Sequence, residues 1–460
     1  MSDAPHHEAS GSDSLIRQVR FRLTGYDGNV LYRSYFSLIA TGNAFNYSQG
    51  PRTRGLKKMK RFSIHFRYLT LASANILAGL LGLFGLTMVS GRFGPEGLGD
   101  VALATALLTY ATVATTGGTE LFAIKTVASD RHRLGQMISS VMQVRLLLGS
   151  VCYLALLAIA WAFYPDRALL IALFGLALFA AATSISWVPQ ALHRSGVFAA
   201  SNVLAQAVFA ALIWLTIEAG YDLPVVALDK VAADFLIVFA LLWWLRKISQ
   251  PIESPSPWPV VRRLAFESMP IAGTQLVRMI GLGTDLIILA FLVSREDTGL
   301  FAAAFKIFGF LLGLVTAYFV ILLPRIAQHK TSDAMKLELN ASFKRTLPLA
   351  VVAAIAISVL AAPLLSMLFG PAFDKAENCL QLLCLAWLAN IGARHYRQVL
   401  LAHGRHAVDF HQSAVSCIIH LISRVSLIPF LGIEGAALGM VIGESFLLVA
   451  QRRAALRELK

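Results

Sequence analysis

The sequence repeats one feature twelve times: a mostly apolar run long enough to cross a hydrocarbon core about 30 Å thick, which takes roughly 20 residues of helix. In the first half these runs are 68–90, 98–119, 138–163, 168–187, 197–217 and 224–245. In the second half they are 266–293, 299–323, 346–369, 379–402, 407–429 and 435–450. Apolar residues make up 57% of the chain and charged residues 14%, against about 45–50% and about 25% in an average soluble protein. A soluble enzyme could not bury that much apolar surface. Alternation at period two is absent, so the runs read as helices and not as strands of a barrel. The fold class expected is an all-α polytopic membrane protein with twelve transmembrane helices.

The loops orient the bundle. Lysine and arginine gather in every second loop, among them Lys125, Arg131, Arg133, Arg194, Arg262, Arg263, Lys344, Arg345 and Arg405, and again in Arg452, Arg453, Arg457 and Lys460 of the tail. The opposite loops hold only Arg92, Arg167, Arg295 and Lys375. Positive charge favours the cytoplasm, so both termini are expected there. The net charge of +14 is then an orientation signal and not a nucleic-acid signature. The first helix serves as the targeting signal, with no cleaved peptide ahead of it.

The chain divides into a polar extension 1–67, helices one to six over 68–245, a basic proline-rich linker 246–263, helices seven to twelve over 264–450, and a cytoplasmic tail 451–460. The extension reads either as an arm attracted to anionic lipid or as sequence upstream of a true start at Met59. A weak internal repeat lays Gly99 on Gly299 and Asp234 on Glu444, which suggests parallel halves about an axis along the membrane normal. Cys152, Cys379, Cys384 and Cys417 lie in predicted helices without CxxC spacing and read as packing residues. His403, His406 and His411 lack a ligand geometry, and nothing in the sequence calls for a metal or cofactor.

Ionisable residues inside the helices carry the chemistry. A charge at mid-membrane costs about 2.5–3.5 kcal/mol, so these groups must pair or face a hydrated cavity. The substrate-path candidates are the cations Arg145, Arg278, Lys306, Arg394, Arg397 and Arg424. The candidates for ion coupling are Asp229, Asp234, Asp285 and Glu444, which read equally as partners in structural pairs. Lys230 and Asp234 are four apart and share a helix face. Arg278 and Asp285, seven apart, line one wall with about 10 Å between them. Trp387, Asn390, Arg394 and Arg397 form one stripe, and Ser413, Cys417, His420 and Arg424 another. Two cationic stripes on consecutive helices point to a positive, hydrated lumen for an anionic substrate, since arginine binds phosphate bidentately at any relevant pH. Snorkelling at a membrane surface is the alternative for Arg145, Arg397, Arg394 and Arg424.

The motifs resemble those of the polysaccharide flippases of the multidrug/oligosaccharidyl-lipid/polysaccharide exporter superfamily. They comprise GRFGPEGLG at 91–99, ELFAIKTVA at 120–128, Trp187 with Gln190 and Arg194, and TDLIILAFLVSREDTGLFAAAFKI at 284–307. LLPRI at 322–326, Gln398 with Gly404 and Arg405, and GIEGAALGMVIGE at 432–444 complete the set. Asp285 and Lys306 fall where that family usually has an acid and a base. The resemblance implies two six-helix lobes around a central cleft opened alternately to each side. It implies a lipid-linked substrate, undecaprenyl pyrophosphate carrying an oligosaccharide, and coupling to protons or sodium. It implies no enzymatic step, a bacterial inner-membrane location, and polymerase and glycosyltransferase partners in the same pathway. A multidrug antiporter of the superfamily and a membrane polymerase or ligase are the rival readings. An antiporter would want acids and aromatics where helices ten and eleven carry cations. The outward loops are too short to hold a catalytic centre.

Overall fold

The computed structural model describes residues 54–248, 254–329 and 331–460. Most of the predicted extension, residues 1–53, lies outside the described residues. From Arg52 to Lys460 the chain forms one compact unit. Its helices are α1 (Arg54–Thr116), α2 (Thr119–Ser129), α3 (Leu134–Phe163), α4 (Ala168–Gly175), α5 (Ala177–Thr183), α6 (Trp187–Ala191), α7 (Ser195–Glu218) and α8 (Leu223–Lys247). After the linker come α9 (Trp258–Gly283), α10 (Asp285–Leu292), α11 (Arg295–Ala327), α12 (Ser332–Val359), α13 (Ala361–Phe369), α14 (Glu377–Ala402) and α15 (His406–Glu458). No strand occurs among the described residues.

Each of the twelve predicted runs lies on these helices, but the boundaries differ for physical reasons. The first two runs merge into α1 and the last two into α15, because each hairpin turns on a single residue. Gly94 has φ 65° and ψ −167°, and Gly432 has φ 57° and ψ −131°. Only glycine adopts such angles cheaply. Both turns read Gly-x-Glu-Gly, a likeness between the first and last hairpins that lies outside the internal repeat. The run 168–187 is broken at Leu176 and again over 184–186, and 266–293 is broken at Thr284. The residues assigned to the tail continue α15 to Glu458, where Arg405 holds the carboxylate at 2.8 Å and Leu459 is buried.

Seven helical stretches among the described residues are long and apolar enough to cross a membrane, by length and composition. Two of them, Ser73–Ser129 and His406–Glu458, contain two predicted runs each. The helices that do not qualify include α8 and α14, which carry Asp229, Lys230 and Asp234, and Arg394 and Arg397. Those polar groups lower the hydropathy of the two helices.

Apolar side chains collect in three clusters. One is built almost wholly from α10–α15 and includes Phe301, Phe308, Leu380, Leu400 and Met440. The other two come from the first half, around Phe174 and Ile213, and around Trp187 and Val141. Leu98 of α1 enters the first cluster, while Ile287 and Ala290 of α10 pack on the second. These residues knit the halves together.

Candidate functional site

A cavity of about 400 Å³ lies between α1 and α11, lined by Ile76, Leu86, Phe305, Phe310 and Leu314 with the ammonium of Lys306. Lys306 is half-buried, and none of the ion pairs found among the described residues includes it. Gly82 of α1 leaves room for it. A Cβ there would stand 3.9 Å from Lys306 Nζ and 3.0 Å from Gln206 Oε1. One cation set into apolar walls fits an amphiphile with an anionic head.

The other predicted cations are held differently. Arg424 is fully buried, and its Nε lies 2.6 Å from Asp285 Oδ1, itself 1% exposed. Asp285 opens α10 at the break in the seventh run. Across that break Tyr110 of α1 donates its hydroxyl to Met279 O at 3.1 Å and shares a hydrogen bond with Thr284 Oγ1 at 3.0 Å. Arg424 Nη2 reaches His420 Nδ1 at 3.4 Å, His420 Nε2 lies 3.9 Å from Glu444 Oε1, and Asn390 donates to Glu444 Oε2 at 3.0 Å. The two coupling candidates Asp285 and Glu444 thus belong to one chain of buried groups. Arg397 grips Asp409 through three hydrogen bonds of 2.9–3.1 Å, and Gln451 donates to the same carboxylate at 3.2 Å. Arg394 donates to Thr316 Oγ1 at 2.7 Å. Arg394, Arg397, His420 and Glu444 line a second cavity of about 280 Å³. The two predicted stripes therefore do meet. Gly439 and Gly443 let the two arms of α15 approach, since a Cβ at Gly443 would collide with the His420 ring and one at Gly439 would come within 2.8 Å of Arg424. The spacing Gly435, Gly439, Gly443 was the available signal for this approach.

In the first half Arg145 is buried and does not snorkel. Its Nε donates to Thr119 Oγ1 at 2.8 Å, Nη1 to Ser184 O at 3.3 Å, and Nη2 lies 4.0 Å from Glu120 Oε2. Gln190 donates to the same glutamate at 3.3 Å, and Trp187 at the other end of the Trp-x-x-Gln element is fully buried. Asp229 accepts from Thr216 at 2.7 Å, and Asp234 pairs with Lys230. The side chain of Arg278 lies outside the described residues.

At the end of the bundle bearing Arg92, Arg167, Arg295 and Lys375, the halves are locked. Arg167 lies 2.7 Å from Asp100, and Arg295 reaches from the second half to Asp166 at 3.0 Å and Asp100 at 3.9 Å. Phe291 meets Phe163 edge to face and lies tilted against Tyr164, with centroids at 5.9 Å and 5.0 Å. Gly99 and Gly299, the pair equated by the internal repeat, pack against each other: a Cβ on Gly299 would collide with Pro95 O. Residues related by a twofold axis touch only beside that axis. Lys375 hydrogen-bonds Glu296 at 2.9 Å, and that bond holds its ammonium pKa above the ordinary value.

The family model described as polysaccharide biosynthesis protein matches residues 68–330. No curated protein sequence matches the chain. Among solved structures, an inward-facing multidrug resistance MATE family transporter of the MOP superfamily aligns with TM-score 0.67 at 14% identity, over 85% of this chain and 98% of that one. The lipid II flippase MurJ in an inward closed conformation aligns with TM-score 0.66 at 15% identity, over 85% and 89%. An outward-facing MATE transporter aligns with TM-score 0.53 at 17% identity, over 85% and 95%. At these identities the likeness is one of fold, a multi-pass transporter fold.

Proposed function

The chain belongs to the polysaccharide biosynthesis protein family, and from that membership we propose that it flips undecaprenyl-pyrophosphate-linked oligosaccharide repeat units across the bacterial inner membrane. Lobes 68–245 and 264–450, joined by the linker 246–263, alternate access to a path between them. All twelve runs cross the membrane, both termini are cytoplasmic, and a proton or sodium ion drives the cycle through Asp285 and Glu444. The chain forms and breaks no covalent bond. Its polymer-assembling partners act before and after it.

The observation that carries this reading is Lys306 in the apolar cavity between α1 and α11. Arg424 and Arg397 have their charge met by Asp285 and Asp409, and Arg145 by Glu120. Lys306 is thereby the cation best placed to receive a pyrophosphate whose prenyl tail remains in the lipid. Losing one charge-assisted hydrogen bond costs about 1.5–3 kcal/mol, roughly ten- to a hundredfold in affinity. Lys306→Ala is expected to lower export per folded molecule by that factor at unchanged abundance, and Lys306→Arg to retain most of it. Export at the wild-type rate by the alanine variant removes Lys306 from the path.

The topology has its own test. Cysteines placed at Asp374 and Asp333, both exposed, report opposite faces. An impermeant reagent applied outside is expected to label the first and spare the second. The reverse pattern inverts the bundle.

A further inference from the structure

Three connections of the first half converge at the end of the bundle that carries the basic loops. The turn after α2 supplies Arg131, the start of α3 supplies Leu134, the turn between α6 and α7 supplies Leu192 and Arg194, and the end of α8 supplies Ile248. Together they line an open cavity of about 280 Å³ with three apolar side chains and two exposed arginines. Arg194 is aimed by an unusual turn. His193 has φ 56°, a left-handed conformation uncommon outside glycine, and the next amide, that of Arg194, donates to Pro189 O at 2.7 Å.

Among the described residues the charge at this cavity is not balanced by a carboxylate. Asp130 is the acid nearest in sequence, and it is taken by Arg133 Nε and by the amide of His132, both at 3.1 Å. Among the described residues no carboxylate pairs with Arg131 or Arg194. Two exposed like charges lining one cavity favour an anion between them. The surroundings say which anion. Trp243 is 61% exposed, and Lys247 places its ammonium 3.6 Å from that ring's centroid, while Arg194 lies over Trp244 at 5.9 Å. Exposed tryptophan beside lysine and arginine marks the level of lipid headgroups. A basic pocket between helices at that level is built for a lipid phosphate.

We propose that Arg131 and Arg194 bind the phosphate of an anionic phospholipid, with Leu134, Leu192 and Ile248 under its glycerol and first acyl carbons. This site is separate from the cavity of Lys306 and does not depend on the flippase reading. It would tie the first half to the leaflet on the basic side.

The test uses the full chain in detergent, titrated with phosphatidylglycerol, phosphatidylcholine or inorganic phosphate and read by native mass spectrometry. One phosphatidylglycerol is expected to remain bound at concentrations where phosphatidylcholine does not. Arg131→Gln with Arg194→Gln is expected to weaken that binding at least tenfold. Arg453→Gln with Arg457→Gln removes the same net charge elsewhere and is expected to leave it unchanged. Arg131→Lys with Arg194→Lys keeps the charge and is expected to weaken binding less than the glutamine pair. Should the glutamine pair fail to fold, Arg194→Gln alone is the working comparison, and binding by it unchanged from the wild type overturns the site. Equal retention of phosphatidylglycerol by the glutamine pair and the wild type also overturns it. So does equal retention of phosphatidylcholine, or full displacement by an equal concentration of inorganic phosphate.

Discussion

Arg424→Ala is expected to leave little folded protein in the membrane, and a second substitution is expected to restore it. Arg424 and Asp285 are 0% and 1% exposed and 2.6 Å apart. Removing one partner leaves the other charge buried, which costs about 3–5 kcal/mol. That is a large part of the roughly 5–15 kcal/mol by which a typical domain is stable. Replacing both by apolar residues of similar volume, Asp285→Leu with Arg424→Met, removes the charge and its desolvation together, and such swaps are often neutral. Folded protein, measured by gel filtration of detergent extracts, is expected to fall by at least tenfold in the single variant and to return in the double. The outcome that breaks this account is a double variant as poorly folded as the single. The sequence reading placed Arg424 on the substrate path; its burial against Asp285 makes its first role that of a strut between α10 and α15. The proposed coupling role of Asp285 has a separate readout in the same pair, since a folded double variant that no longer exports has lost more than a strut.

What could be read in advance follows the range of each interaction. Lys230 and Asp234 are one helical turn apart, so spacing alone pairs them, and they are paired. The stripes through Arg394 and Arg424 were visible because helical period places residues on a face. Period does not say which helix that face meets. Asp285 with Arg424, Arg397 with Asp409 and Arg145 with Glu120 are joined by tertiary packing between separate helices, and each turned a suspected free cation into a partnered one. Tyr110 escaped notice for a related reason. Nothing in its own run sets it apart, and its hydroxyl matters only because α9 stops at Gly283 opposite it. The helix breaks themselves were partly legible. Gly94-Pro95 and the glycines after Pro429 announce turns, and the break at Thr284 sits beside Gly281, Gly283 and Asp285 within the predicted run 266–293.

The halves meet through a contact that a single methyl group should disturb. Gly299 starts the second turn of α11 with its Cα against Gly99, and a Cβ there would overlap the carbonyl of Pro95. Arg295, one turn earlier, can hold Asp166 and Asp100 only while that approach is close. In Gly299→Ala the closed state at this end must accept strain of about 1–3 kcal/mol, the usual cost of overpacking. The open state, with the halves apart, bears none of it. The equilibrium is therefore expected to move toward opening by about 5- to 150-fold. Leu98, 1% exposed beneath the contact, is the reporter. With the four native cysteines replaced by alanine and Leu98→Cys introduced, an impermeant maleimide is expected to label the Gly299→Ala protein at least fivefold faster. Gly91→Ala, where a Cβ meets nothing within 4 Å, should label at the unmodified rate. Export is expected to fall in the Gly299 variant, because a cycle held open at one end cannot reload at the other. If labelling stays slow and the folded protein simply declines, the Gly99–Gly299 contact is static packing and the locked end does not open as a gate.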